Sequence, residues 1–495
     1  MSDTYTQLTM PQPMQPSMQQ KRGARRAGEP PLVVDLDGTL IYSDMLWESL
    51  LLFLRVHFWQ AWRLPLWLLL GKAGFKARIA AMVQPHPAHL PYDRELLADI
   101  SAQYSDGRRI VLATGSQRAL AEGIAAHLQV FDEVHATDGA INLTSSNKAG
   151  ALVERYGARG YDYIGNSHVD IPVWDAARHA YSVTSRPFTL ADGRSTERVG
   201  AQRSGPLMAL FKAMRPRQWL KNLLVFLPML GAHALNLDTT VQSMVAFIAF
   251  SLCASSAYLL NDALDAQDDR QHPVKRKRPI ASGKLPLPLA MAASPLLALG
   301  AIALCVAYDP VLLAVVLVYF ASTLAYSFYL KRIMMVDIVA LSLLYTIRVL
   351  GGSAATGITP SFWLLAFSFF IFLSLALLKR YSELYNLKRR GKEKTSGRGY
   401  TIEDKAPIAM MGINAGFLSV VIFMLYFNSN DVLARYHTPP LLLGIVPLLV
   451  FWLGRLWTLA FRGQVNEDPV LYVSKDPVSL ATIGLSALLL VAATY

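Results

Sequence analysis

The chain has 495 residues, of which 53% are hydrophobic and only 17% are charged, so it is too apolar for an ordinary soluble protein. In a chain of this apolar content, the formal net charge of +12 fits an anionic membrane surface better than nucleic acid. Both cysteines, Cys253 and Cys305, lie within apolar runs, which excludes a disulfide framework and a zinc site.

The N-terminal part begins with a leader and continues as an alternating pattern. Residues 1–30 are rich in Gln, Pro and Met, then basic, and lack the apolar core of a signal peptide, so we expect a disordered basic leader. Residues 31–190 alternate short apolar runs with helical stretches, and the runs PLVVDLDGTL, RRIVLATGS, EVHAT and YDYIGNS each end in small or polar residues. Parallel strands that feed loops at their carboxyl ends have this pattern, which predicts an α/β domain.

A long insertion, at about 44–97, separates the first two predicted strands and contains LWESLLLFLRVHFWQAWRLPLWLLLG. Arg55, Arg63 and Pro65 interrupt this apolar run, which argues against a simple transmembrane span. We expect a Trp-rich helical cap that lies in the membrane interface, with a buried soluble helix pair as the alternative. Residues 191–210 are predicted to be a linker.

The remainder, residues 211–495, is predicted to be an all-α polytopic membrane bundle. Nine apolar segments are each about long enough to cross a bilayer, at roughly 218–236, 241–261, 286–307, 310–329, 335–353, 361–378, 411–428, 439–460 and 477–494. Basic residues concentrate in the loops after segments two, four, six and eight, whereas the other loops carry few, with Arg435 as the exception. This asymmetry predicts a cytoplasmic N-terminal domain and a C-terminus outside.

The second apolar segment ends in a cluster of carboxylates. Asp262, Asp265 and Asp269 are spaced three and four apart, so on a helix they share one face. Hard oxygen ligands on one face suit Mg²⁺, which keeps part of its water shell and binds substrate phosphates. The bases of HPVKRKRPIASG follow at once and would meet the remaining phosphate charge. A solvated helix end with an ordinary charged loop is the alternative.

Four motifs in the N-terminal domain, DLDGTL, VLATGS, SSNKAGALVERYG and YIGNSHVD, resemble in order and spacing those of the haloacid dehalogenase-like (HAD) phosphatase superfamily. The resemblance covers most of residues 31–180 and implies a Rossmann-like fold with a helical cap. It also implies a role for each matching residue: Asp35 as the nucleophile that forms an aspartyl-phosphate, Asp37 as the general acid/base, Thr114 as a hydrogen-bond donor to a phosphoryl oxygen, Lys148 as the balancing charge, and Asp35, Asp170 and Asn166 as Mg²⁺ ligands.

The last HAD motif departs from the family pattern, because Gly165-Asn166 stands where Gly-Asp is usual. Asn166 can coordinate a cation through its carbonyl oxygen but brings no charge. A domain that keeps the fold without the activity is therefore the alternative to a working phosphatase.

The membrane part resembles the UbiA superfamily of intramembrane prenyltransferases, because its nine segments carry Asn-Asp-x-x-Asp-x-x-x-Asp at the end of the second. In that family the motif binds Mg²⁺ and a substrate diphosphate, which implies this role for Asn261, Asp262, Asp265 and Asp269. Aromatic prenyltransferases of the family carry a second Asp-x-x-x-Asp motif after segment six. This chain has KRYSELYNLKRR there, with Glu383 as the only acid, and so basic a loop suits an anionic partner.

Four further stretches, MRPRQWLKN, HPVKRKRPIASG, YSFYLKR and LLKRYSEL, resemble the decaprenyl-phosphate phosphoribosyltransferase branch of that superfamily. The resemblance implies transfer of 5-phosphoribose from phosphoribosyl diphosphate to a polyprenyl phosphate. The candidate substrate contacts are Lys221, Asn222, Arg278, Lys331, Tyr381 and Glu383. Arg348 lies within an apolar segment and should face the bundle interior, paired either with substrate phosphate or with a carbonyl.

The implied product is a polyprenyl-phosphoryl ribose 5-phosphate, and we expect the HAD-like domain to remove its 5-phosphate. The chain is thus predicted to be a bifunctional, Mg²⁺-dependent enzyme of the bacterial cytoplasmic (inner) membrane. One alternative is a polyprenyl diphosphate-dependent aromatic prenyltransferase of quinone biosynthesis, which predicts a second acidic motif. The other is a transporter or channel with a regulatory soluble domain, which would not need aspartates clustered beside bases.

Overall fold

The computed structural model describes residues 28–138, 142–201, 205–389, 391, 399–428, 436–465 and 468–494. The chain forms two compact units, one of Met1–Leu210 with Asp262–Ala290 and the other of Phe211–Asn261 with Met291–Tyr495. The aspartate-rich segment therefore belongs to the same unit as the N-terminal α/β fold. The predicted leader lies, up to residue 27, outside the described residues.

The first unit contains a six-stranded parallel sheet in the order β3-β2-β1-β4-β5-β6. The strands are β1 Leu32–Val34, β2 Ile110–Gln117, β3 Glu133–Thr137, β4 Asp162–Gly165, β5 Ala180–Ser182 and β6 Glu197–Arg198. All three residues of β1 are buried, as expected for a central parallel strand that is covered on both faces. The predicted α/β fold of this part is confirmed.

Helices connect these strands and bring the strand ends together at one edge of the sheet. They are α1 Met45–Val56, α2 Arg63–Leu68, α3 Gly71–Met82, α4 Arg94–Ser105, α5 Arg118–Leu128, α6 Ser145–Tyr156 and α7 Ile171–Ala176. Asp44 caps α1 by accepting hydrogen bonds from the backbone N–H groups of Leu46 and Trp47. In a parallel sheet the loops at the carboxyl ends of the strands are neighbours, which places the site described below.

The insertion after β1 folds as α1, the 3-10 helix Phe58–Gln60, α2 and α3. The side chains of Phe53, Phe75 and Ile79 are buried between α1 and α3, so part of the insertion is a packed helix pair. Other apolar side chains of the same insertion stay exposed, including Trp59 at 89% and Leu69 at 83%. The insertion thus combines the packing of the soluble helix pair with an apolar surface of the kind expected for a membrane-interface cap.

The rest of the described chain is helical. Its helices are α8 Pro206–Ala213, α9 Leu227–Gly231, α10 Leu237–Leu264, α11 Ala266–Gln271, α12 Leu287–Tyr308, α13 Pro310–Phe328, α14 Val336–Thr356, α15 Phe362–Arg389, α16 Lys405–Phe427, α17 Ile445–Phe461, α18 Pro469–Val473 and α19 Pro477–Thr494. Eight helices of the described residues are long and apolar enough to cross a membrane, namely α10, α12 to α15, α16 and α17 with the 3-10 turns before them, and α19. The protein is therefore an integral membrane protein with a helical bundle.

The first of the nine predicted spans is not a continuous α-helix. It forms a 3-10 helix, Pro216–Phe226, followed by the five-residue helix α9. Pro228 at the start of α9 has no N–H to donate to the preceding turn, which explains why one regular helix does not run through the segment. Hydropathy reports apolar length and not helical continuity, so a count of nine spans is not obtained within the described residues.

Candidate active sites

The first candidate site lies at the carboxyl edge of the sheet, where four predicted HAD residues meet. Asp35 follows β1 directly, Thr114 lies on β2, Lys148 on α6 and Asp170 at the end of the 3-10 helix His168–Asp170. All four side chains are buried. The topology therefore gathers residues from four separate parts of the chain into one polar cluster within an apolar core.

Lys148 is the centre of this cluster. Its Nζ atom lies 2.7 Å from Oδ1 of Asp35 and 3.8 Å from Oδ1 of Asp170, and it donates to the Tyr163 hydroxyl at 2.9 Å. The Tyr163 hydroxyl donates in turn to Asp170 Oδ1 at 2.8 Å. Burial disfavours the ammonium group, but the two carboxylates raise the pKa of Lys148 above its ordinary value. Lys148 is thus charged and balances the nucleophile candidate. Tyr163, the first residue of the motif YIGNSHVD, is a site residue to which the sequence analysis gave no role.

Asp37 occupies a second position in the cluster. Its Oδ2 atom accepts hydrogen bonds from the hydroxyls of Ser116 at 2.6 Å and Thr114 at 3.3 Å, and its Oδ1 atom accepts one from the Met45 N–H at 2.7 Å. Burial, reinforced by the nearby carboxylates Asp44 and Asp35, raises the pKa of Asp37 to about 7. A carboxyl group of that acidity can both release and accept a proton near neutral pH, as a general acid/base must.

Asn166, which stands where the HAD motif usually has Asp, lies beside the loop that follows Asp35. Its backbone N–H donates to Asp170 Oδ2 at 3.0 Å, and its side-chain amide lies against Gly38. A Cβ atom at Gly38, whose φ is +72°, would lie 2.1 Å from Asn166 Nδ2, so only glycine fits there. The amide is therefore packed at the site.

The second candidate site is the aspartate-rich segment. α10 ends at Leu264 and α11 begins at Ala266, so Asp265 stands at a break between the two helices. The side chains of Asp262 and Asp269 are buried and both accept hydrogen bonds from Nη1 of Arg278, at 3.0 and 2.6 Å. Two carboxylates seven residues apart therefore converge on one cation, which belongs to the basic loop that follows them.

Burial also affects the acidity of this segment. The pKa of Asp269 is raised to about 6 by burial, because the neighbouring Arg278 and Lys275 offset that effect only in part and Asp262 adds to it. Asp265 supplies a backbone contact, since its carbonyl accepts a hydrogen bond from the Asp269 N–H at 2.9 Å. The segment is thus a compact acidic turn whose negative charge is partly offset by the basic loop that follows it.

In the second unit, three predicted substrate contacts bond to protein groups. Nζ of Lys221 lies 2.8 Å from Asp468 Oδ2, and Nε of Arg348 donates to Asn222 Oδ1 at 2.8 Å. Arg348 also donates to the Tyr319 hydroxyl at 2.8 Å and to the Leu344 carbonyl. Arg348 does face the bundle interior, where it makes the carbonyl contact that was one of its two predicted partners. Asp468 was not singled out from the sequence, because nothing near it in the chain marks it as a partner of Lys221.

Lys331 and Tyr381 differ in their surroundings. Nζ of Lys331 lies 3.4 Å from Asn261 Oδ1, a long contact that leaves the ammonium group close to the start of the aspartate motif. Tyr381 is buried, and its ring packs against Trp457 and Phe461 with centroid separations of 6.0 and 5.0 Å. The environment of Tyr381 is thus that of a packed core residue.

Glu383 belongs to a buried charge network that the sequence did not reveal. It pairs with Arg380, which also pairs with Asp337, and the Tyr400 hydroxyl donates to Asp337 at 2.6 Å. Asp337 lies in the first turn of α14 and Arg380 in the C-terminal part of α15, so the packing of these two helices brings the network together.

At each of the two candidate sites, a pair of carboxylates is suited to Mg²⁺. No group of three or more His, Cys, Asp or Glu side chains able to hold a metal is found in the described ranges. Two carboxylates nevertheless converge on one cationic nitrogen at each site, Asp35 with Asp170 and Asp262 with Asp269. Mg²⁺ suits such a pair, because it commonly takes one or two carboxylates and completes its shell with water and substrate phosphates.

A parallel α/β fold with a buried nucleophile cluster, joined to a helical membrane bundle with an aspartate-rich turn, defines a membrane enzyme with two candidate active sites. The UbiA prenyltransferase family model matches residues 223–475, about half of the chain, and the chain belongs to this family. The haloacid dehalogenase-like hydrolase model matches residues 32–175. The predicted fusion of these two domain types is confirmed.

The chain is similar to known proteins over different shares of its length. Protein y4nM of Sinorhizobium fredii, which is uncharacterized, is 32% identical over 456 residues, 91% of this chain and 88% of that protein. The decaprenyl-phosphate phosphoribosyltransferase of Mycolicibacterium smegmatis is 41% identical over 198 residues, 39% of this chain and 62% of that protein. The structure of a UbiA homologue from Archaeoglobus fulgidus bound to GPP and Mg²⁺ covers 57% of this chain and 97% of its own, with 15% identity and a TM-score of 0.43.

Proposed function

We propose that this enzyme transfers 5-phosphoribose from phosphoribosyl diphosphate to a polyprenyl phosphate and then removes the 5-phosphate with its HAD-like domain. The observation that carries the proposal is the convergence of Asp262 and Asp269 on Arg278, in a chain similar to decaprenyl-phosphate phosphoribosyltransferases. A buried acidic pair next to a basic loop suits a donor whose leaving group is a diphosphate.

In the transfer step, an oxygen of the lipid phosphate forms a bond to C1 of the ribose while the bond from C1 to the diphosphate oxygen breaks. The diphosphate leaves with the electron pair, so negative charge grows at the basic loop. Asp262, Asp265 and Asp269 would hold Mg²⁺, which when bound neutralises part of that charge. Arg278, released from its two carboxylates, is then free to pair with the diphosphate. No protein nucleophile is required.

In the hydrolysis step, a carboxylate oxygen of Asp35 attacks phosphorus and the ribose 5-oxygen leaves with a proton from Asp37. Water then attacks the aspartyl-phosphate, and Asp37 takes up its proton. Lys148, which lies 2.7 Å from Asp35, balances the charge that gathers on the phosphoryl group. Asp35, Asp170 and Asn166 would hold the Mg²⁺ of this site, which when bound orients and polarises the phosphoryl oxygens.

The proposed location is the bacterial cytoplasmic membrane, with the HAD-like domain and the basic loops on the cytoplasmic side. The concentration of bases in the loops after the even-numbered segments supports this orientation. The aromatic prenyltransferase alternative is less favoured, because Glu383, the only acid in KRYSELYNLKRR, is paired with Arg380. That carboxylate is already engaged in an ion pair with a neighbouring cation.

The test uses the purified full-length protein in detergent, incubated with Mg²⁺, ribose-labelled phosphoribosyl diphosphate and a polyprenyl phosphate. We expect label in the extracted lipid, and its loss in Asp262→Asn. The lipid product of the wild type should lack the 5-phosphate. Absence of label in the lipid for every polyprenyl phosphate tried would refute the transferase function.

A further inference from the structure

The residue after Asp269 joins the aspartate-rich segment to the HAD-like fold of the same unit. Arg270 donates from Nη2 to Glu48 Oε1 at 2.7 Å and from Nη1 to Glu48 Oε2 at 3.0 Å. The Arg270 side chain is 8% exposed and that of Glu48 is 2% exposed. A two-point contact between a buried guanidinium and a buried carboxylate fixes the relative orientation of the two side chains and the distance between them. Glu48 is itself held, because the Ser43 hydroxyl donates to Oε1 at 2.6 Å.

Arg270 also holds the basic loop from the other side. Its Nε donates to the carbonyl oxygen of Ala281 at 3.0 Å, three residues after Arg278. Gly283, with φ of +75°, lies against Tyr42, where a Cβ atom would be 2.3 Å from Tyr42 Cβ. Contacts from the HAD-like fold, Glu48 through Arg270 and Tyr42 directly, therefore determine the path of the loop that presents Arg278.

We propose that Glu48 is a positioning residue of the transferase site, because through Arg270 it holds residues 278–283 where Arg278 meets Asp262 and Asp269. The kinetic effect expected from this inference rests on the proposed function. It has a consequence for the fusion: the HAD-like domain serves donor binding in addition to its own hydrolysis. A membrane domain without it would lack the support of this loop.

The same helix also reaches the phosphatase site. The N–H of Met45, the first residue of α1, donates to Asp37 Oδ1, and Glu48 follows one turn later. α1 thus has one contact with the acid/base of the hydrolysis site and another with the segment that would bind the donor diphosphate. Glu48 touches no reacting atom itself, and it acts on transfer through Arg270 and, with a longer contact, through Gln267, whose Nε2 donates to Glu48 Oε2 at 3.4 Å.

The experiment uses the full-length Glu48→Gln variant, which keeps the size of the side chain and removes its charge. We expect KM for phosphoribosyl diphosphate to rise about tenfold, the effect of weakening one charge-assisted contact, while KM for the polyprenyl phosphate stays as in wild type. A purely structural role would lower the amount of active protein and leave both KM values unchanged. The matched control is Glu122→Gln, since Glu122 is an exposed residue of α5 that pairs with Arg118 at 3.7 Å on the surface.

A second measurement requires no turnover. Hydrogen exchange of residues 270–283 should be faster in Glu48→Gln than in wild type, and unchanged in Glu122→Gln. Should Glu48→Gln fail to fold, Ser43→Ala provides a milder change, because it removes the donor that holds Glu48 and should shift the same two readouts in the same direction. Unchanged donor KM together with unchanged exchange in residues 270–283 would overturn the inference. A wild-type protein inactive in transfer would refute the proposed function instead, while the exchange result would still decide the role of Glu48.

Discussion

Nη1 of Arg278 lies 2.6 Å from Oδ2 of Asp269, within a turn where Asp262 shares the same nitrogen. Arg278→Ala would leave two buried carboxylates without this cation, at a cost of about 2 kcal/mol for a pair that is partly open to solvent. We expect Arg278→Ala to melt at a lower temperature than wild type in EDTA. Added Mg²⁺ should raise the melting temperature of Arg278→Ala more than that of wild type. Arg276→Ala, in the same loop but exposed, is the control. An equal response of both variants to Mg²⁺ would contradict this assignment.

Asp35→Asn tests the order of the two reactions. The amide keeps the shape of the side chain but cannot form an aspartyl-phosphate, so phosphatase activity should fall about a thousandfold or more. Label from phosphoribosyl diphosphate should still enter the lipid, and the accumulated product should carry one more phosphate group than the wild-type product. Mass analysis of the extracted lipid makes the comparison. Identical products from variant and wild type would show that the HAD-like domain does not act on this lipid.

Tyr163 supports the phosphatase site, because its hydroxyl connects Lys148 to Asp170. Tyr163→Phe should lower kcat of phosphate release about tenfold and the free energy of unfolding by about 1–2 kcal/mol, since one buried hydrogen-bonding group is lost. Tyr161→Phe is a close control, because its buried hydroxyl donates to the Val173 carbonyl away from the cluster. The control should lose stability and keep kcat. A similar loss of kcat in both variants would argue against a specific role of Tyr163.

The exposed apolar surface of the cap predicts a dependence on the bilayer. Leu51 of α1 lines one small cleft together with Leu264 of the same unit. The double variant Trp59→Ser, Leu69→Ser should raise KM for the lipid-linked substrate about tenfold in vesicles, because two large apolar contacts with lipid are lost. Hydrolysis of a water-soluble aryl phosphate should be unaffected. A parallel loss on both substrates would place the effect in the fold of the cap instead.

Much of the first site was predictable, because short motifs mark the ends of the predicted strands and the carboxyl ends of parallel strands meet at one edge of a sheet. Asp35, Thr114 and Lys148 were assigned from the resemblance of their motifs to those of the HAD superfamily, and the structure brings them together. Tyr163 escaped this reasoning, since a tyrosine within a buried strand carries no signal of its own. The second site was recognisable for a similar reason, because Asp262 and Asp269 lie close together in the chain.

Contacts between distant parts of the chain were not predictable. Asp337 and Arg380 stand in different apolar helices, and either one alone indicates only an interior charge. The break of the first predicted span at Pro228 is a further example, because hydropathy averages over a window and does not register a missing N–H.

The sequence by itself determined the α/β and membrane parts, the acidic turn and its basic loop, since apolar periodicity and short motifs act over a few residues. Only the tertiary structure decided which charge faces which. Glu48 and Arg270 are 222 residues apart, and no local pattern in either segment names the other. A buried charge needs a partner, but the partner's identity follows from how the whole unit packs, and that packing places the aspartate-rich segment in the same unit as the HAD-like fold.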